Sequence, residues 1–147
     1  MDKYYVDSSL KTDNQDKWVR LLDLYLPLAN EIEFNILNKT AEFFDFTDLF
    51  KSEIVSQGKR KDKIYHYKEY IRLRKSEELV NYLRTKPYSS WTNYCLEDLS
   101  LIKGGVEFFA TITHENYIII KLSGPDRERL NKEGFDFNIE WPYHETK

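Results

Sequence analysis

Residues 94–122 read YCLEDLSLIK-GG-VEFFATITH-EN-YIIIKL. Three apolar-rich runs, 94–103, 106–114 and 117–122, are separated only by Gly104-Gly105 and by Glu115-Asn116. Breaks this short between strand-like runs predict hairpins, hence an antiparallel meander. The Gly-Gly pair suits a tight turn, because glycine accepts positive φ without a steric cost. Downstream, Pro125 fits the first position of a short helix reaching about Lys132, with Gly134 as its end. Phe135, Phe137, Ile139 and Trp141 then alternate with Asp136, Asn138 and Glu140, which predicts a last strand with one aromatic face.

Upstream the periods are mixed. Trp18, Leu21, Leu22 and Tyr25 recur at i, i+3, i+4 and i+7, one face of a helix over about 13–26. Thr12 or Asp13 is placed to cap it, and Pro27 to close it. Glu31-Ile32-Glu33-Phe34-Asn35-Ile36 alternates strictly, as a strand with one wet and one buried face does. Phe43, Phe46, Phe50 and Ile54 step like a helix within 40–56, with Gly58 as a left-handed stop and Lys59-Arg60-Lys61 as a loop. Residues 63–74 fit both periods, and their tyrosine and isoleucine content favours a strand. Ser76 predicts the cap of a short helix carrying Leu79, Tyr82 and Leu83 on its buried stripe.

Strands and helices without regular alternation predict an α+β fold. The expected architecture is a mainly antiparallel sheet, the C-terminal meander plus the last aromatic strand, with helices packed on one face. The 147 residues show no internal repeat and no linker rich in Gly, Pro or Ser, so 1–147 is taken as one domain. Trp18, Leu21, Leu22, Phe34, Ile36, Phe50 and Phe137 are the expected core. With 23 aromatics and a net charge of only −3, disorder is excluded. No apolar run approaches the roughly 20 residues of a membrane span, and the first residues carry no signal-like apolar core. A cytoplasmic protein is expected.

Catalytic signals are absent. His66, His114 and His144 lie too far apart for a local metal-ligand spacing, and His114-Glu115 lacks the second histidine of a zinc-protease helix, since Ile118 stands there. Cys95, the single cysteine, sits between Tyr94 and Leu96 with no cation beside it and reads as a core thiol. Five glycines form no phosphate loop, and no serine elbow exists. Glu97 and Asp98, adjacent on a strand, should face opposite sides, with one or both solvated. No cofactor is expected and no catalytic residue is assigned.

Charge and tyrosine carry the functional reading. Residues 1–56 carry −5, residues 57–87 carry +6 and residues 88–147 carry −4. The basic middle also holds Tyr65, His66, Tyr67 and Tyr70. The chain has 11 tyrosines, a residue that anchors protein interfaces at little entropic cost. The expectation is therefore a non-enzymatic protein-binding module, for instance a small bacterial antidote of the immunity type that masks a toxin domain. Tyr65, Tyr67, Tyr70, Arg72 and Arg74 would contact a protein partner with an acidic surface. On a strand, Tyr70, Arg72 and Arg74 share one face. Two alternatives stand beside it: an enzyme whose fold assembles a site around His114 and Glu115, and a module binding RNA or another single strand through Lys59–Arg74.

Overall fold

A computed structural model describes residues 2–10, 15–60, 69–91 and 95–142. It shows an α+β fold built on one eight-stranded sheet, every neighbouring pair of which is antiparallel. The strands are β1 (Lys3–Asp7), β2 (Glu31–Ile36), β3 (Ile54–Lys59), β4 (Glu69–Arg74), β5 (Leu96–Lys103), β6 (Val106–Ile112), β7 (Tyr117–Leu122) and β8 (Ile139–Glu140). Their spatial order is β3-β4-β2-β5-β6-β7-β1-β8. The helices are α1 (Gln15–Tyr25), α2 (Ala41–Leu49), α3 (Glu77–Thr85) and α4 (Gly124–Lys132).

The meander forms as its spacing predicts. β5, β6 and β7 are consecutive neighbours, and Gly104 and Gly105 turn the first hairpin at φ 57° and 80°. Residues 113–115 leave the second strand in a single 3-10 turn, closed by left-handed Asn116. All four helices pack on one face. Trp18, Leu21, Leu22 and Tyr25 of α1, Phe43 and Phe46 of α2, Leu79 and Leu83 of α3 and Leu130 of α4 join Ile32, Phe34, Ile71, Leu101, Phe109 and Ile120 of the sheet in one buried cluster. Each of the seven expected core residues is buried in it, and so is Cys95. Ser76 caps α3 by accepting the Leu79 N–H at 3.1 Å, and Ser123 caps α4 by accepting that of Asp126 at 3.2 Å.

Four expectations are corrected. α1 does end at Tyr25, before Pro27, but the residue preceding the proline does not leave the helical region, because a 3-10 turn follows over Leu26–Leu28 with proline near its start. That position lacks no hydrogen bond, because the first turn's amides are unpaired in any case. The phenylalanine helix stops at Leu49, and Ile54–Lys59 is a strand, so Gly58 lies opposite Tyr70 rather than ending a helix. β-Branched Ile54 and Val55 favour that extended state, and pairing with β4 completes it.

The last strand shrinks to Ile139–Glu140, and its aromatic face divides. Phe135 and Phe137 enter the main core, whereas Ile139 and Trp141 lie toward the opposite face. The cause is polar anchoring of the backbone: Asp7 accepts the Asp136 N–H and Asn131 accepts that of Phe137, which draws residues 135–137 under α4. Finally, Glu97 and Asp98 do not face opposite sides of the sheet: Glu97 lies opposite Asn35, which also bonds the Asp98 carboxylate. Asp98 is left-handed at φ 56°, the register between β2 and β5 shifts beside it, and Glu97 is buried. Such a bulge adds one residue to one strand and breaks simple alternation. The expected caps Thr12 and Asp13 lie outside the described residues.

Candidate functional site

The face of the sheet away from the helices is the candidate site. Cross-strand register draws one row over all eight strands: Ile139, Val6, Ile119, Ala110, Ser100, Glu33, Arg72 and Ser56. One half of that row is apolar and the other is polar.

At the apolar end, Tyr4, Val6 and Ile119 form a second buried cluster, separate from the main core. Ala110, Ile112, Tyr117 and Trp141 pack against it partly exposed. The Tyr117 and Trp141 rings meet edge to face at 5.8 Å, a favoured arrangement for two aromatic quadrupoles. Tyr4 lies flat enough for the Lys121 ammonium to sit 5.8 Å above its ring, and its hydroxyl donates to the Glu107 carbonyl at 2.6 Å. Beside them Ile139 is 66% exposed.

At the polar end, alternation on β2 and β4 brings opposite charges face to face. Glu33 is directly opposite Arg72, and Glu31 is opposite Arg74. The Glu33 carboxylate is nearly buried and accepts from two guanidiniums, Arg72 at 2.9 Å and Arg60 at 2.8 Å. Arg72 also reaches Glu31 at 3.4 Å. Burial opposes the charge on Arg72, but the hydrogen bond and charge of Glu33, with Glu31, outweigh it and hold its pKa above the usual value. Arg60 extends the network by donating to Asn35, which donates in turn to Asp98 at 2.8 Å. Asp98 then accepts the Thr113 N–H at 3.0 Å and its hydroxyl at 3.1 Å. Tyr70 lies between, its ring 5.6 Å beneath the Arg60 guanidinium and its hydroxyl 3.4 Å from that of Ser56.

The expected contact residues distribute as follows. Tyr70, Arg72 and Arg74 do share one face, as the strand pattern predicts. Tyr65 and Tyr67 lie outside the described residues. Neighbouring carboxylates offset the basic character of the segment, because Glu31 and Glu33 come from a strand that sequence places elsewhere. Sequence reasoning missed Glu33, Asn35 and Asp98 as members of the site. It also missed Tyr117, Ile139 and Trp141. The alternation of Glu31, Glu33 and Asn35 was the available signal for the first group, since it names the wet side of their strand.

Of the groups in the enzyme alternative, Glu115 is exposed, while His66, His144 and the His114 side chain lie outside the described residues. Among the described residues, no three His, Cys, Asp or Glu side chains are grouped to hold a metal. No helix among them is long and apolar enough to cross a membrane. No protein-family model, curated protein or solved structure matches this chain.

Proposed function

We propose that this chain is a non-enzymatic protein-binding module of the immunity type, and that its binding surface is the helix-free face of the sheet. The observation that carries this reading is the polar network from Thr113 through Asp98, Asn35, Arg60 and Glu33 to Arg72. Side chains already held by one another lose little freedom when a partner arrives, so the surface is preorganised. The aromatic and aliphatic end, with Tyr117, Trp141 and Ile139, supplies the apolar contact that interface anchors need. The fitting partner has an apolar patch for that end. Opposite Tyr70, Arg72 and exposed Arg74 it presents polar or acidic groups, which steer encounter more than they add affinity.

The test begins with affinity capture on the intact chain and purification of the captured protein. Its affinity is then measured for Tyr70→Ala combined with Arg72→Glu, and separately for Ile139→Asp, with circular dichroism checking the fold. Ile139→Asp touches an exposed side chain and should leave the fold intact. Losses of about tenfold or more for both variants, the scale of an interface anchor, are expected. Affinity unchanged in two folded variants would remove this face from the interface.

A further inference from the structure

The two edges of the sheet are unequal. β8 ends one side with two residues, whereas β3 ends the other with six, and among the described residues no strand pairs with its outer side. An exposed row of backbone donors and acceptors of that length is a template for another strand. The register irregularity near Val55 and the lysine at position 59 blunt such an edge, yet Ser56–Lys59 keeps regular pairing with β4. Val55 is 44% exposed, and Leu49, at the end of the preceding helix, is 69% exposed.

Charge runs along this edge with a sense. Its entry, a 3-10 turn over Lys51–Glu53, carries one charge of each sign, with Glu53 at the strand, and its exit carries Lys59, Arg60 and, by sequence, Lys61. Next to the entry, the last turn of α2 and the outer side of α3 enclose an open cleft of about 560 Å³, lined by Phe50, Tyr82, Glu53 and Glu78 among others. Among the described residues, no lysine, arginine or histidine lines it. Hydrogen bonds from Ser52 and Ser76 hold the Glu53 carboxyl below the usual range, so the cleft is anionic at neutral pH.

We infer that β3 is a dimerisation edge, at which a second copy of this chain adds its own β3 antiparallel across a two-fold axis. Two-fold pairing requires one residue to lie opposite itself. Centred on Ser56 or Gln57, it runs the Lys59 end of each strand beside the turn that carries Glu53 in the other copy. Each acidic cleft thus gains a neighbouring cation, twice over, whereas a parallel arrangement would bring like charges together. Exposed pairs of this kind contribute little affinity and act mainly to select register. The ladder bonds and the burial of Val55 and Leu49 supply the rest.

Sedimentation equilibrium on the full chain tests this directly. The wild type should approach twice the 17.7 kDa of one chain as concentration rises. Glu53→Lys should weaken the dimer, Lys59→Glu with Lys61→Glu should weaken it likewise, and the three substitutions together should restore it. Ser56→Cys or Gln57→Cys provides a second measurement, since Cys95 is buried: one of them should form an intermolecular disulfide on mild oxidation. A wild type that stays monomeric overturns the inference. So does a dimer that neither charge reversal weakens and neither cysteine cross-links.

Discussion

Asp98 holds a left-handed backbone that L-residues reach at a cost of roughly 1–2 kcal/mol, and its carboxylate holds both Thr113 and Asn35. Replacing it therefore removes hydrogen bonds in every case, but only some replacements keep the backbone cost. Asp98→Ala should destabilise by about 2–3 kcal/mol, and Asp98→Gly by about 1 kcal/mol less, because glycine has no Cβ to strain. Urea titrations that rank the two in the reverse order would contradict the bulge. A second residue-scale prediction concerns Tyr25 and Tyr88. Burial, aided by Asp126 for the first and by Asp98 and Asp7 for the second, pushes both phenols up to about 12. Unfolded tyrosine ionises near 10, so the folded state binds these protons more tightly. Their contribution to stability is complete below pH 10 and disappears as pH rises through 12. A phenolate absorbance titration should show these two ionising near 12, each abolished by its own Tyr→Phe variant. Titration of every tyrosine near 10 without unfolding would contradict their burial.

At the scale of elements, the caps carry a definite expectation. Ser76 accepts an amide of the first turn of α3, and the helix places Leu79 and Leu83 in the core. Ser76→Ala should cost about 1 kcal/mol and Ser76→Asp much less, as measured by the midpoint of denaturant unfolding. This helix, the α1 stripe, the β2 alternation and the Gly104-Gly105 hairpin were all legible, because each is encoded within a few residues of itself. β3 was not, because Phe43, Phe46, Phe50 and Ile54 keep helical spacing across a boundary set by pairing with β4. β8 was overread for a related reason. Period-two alternation cannot show that Asp7, 129 residues from Asp136, draws the chain aside. The charged site was half legible. The wet sides of β2 and β4 can each be read from alternation, but the contact of Arg72 with Glu33 spans 39 residues and has no local signature.

At the scale of the whole molecule, the helices close one face of the sheet, and among the described residues no helix covers the other. On the proposed reading, that division separates stability from recognition. The main cluster takes Trp18 and Tyr25 of α1 and Phe43 and Phe46 of α2, whereas the second face keeps Tyr70, Tyr117 and Trp141 only partly covered. Among the described tyrosines, Tyr25 and Tyr88 are buried in the main core, whereas Tyr70 and Tyr117 lie on the opposite side. The central claim is that this second face meets a protein. Hydroxyl-radical footprinting of the chain, alone and saturated with its purified partner, reads it side chain by side chain. Oxidation of Tyr70, Tyr117 and Trp141 should fall in the complex, while Tyr5 and Tyr82, on the helical side, should react as before. Protection of Tyr5 and Tyr82 with Tyr70, Tyr117 and Trp141 unchanged would place the partner on the helices and contradict the account.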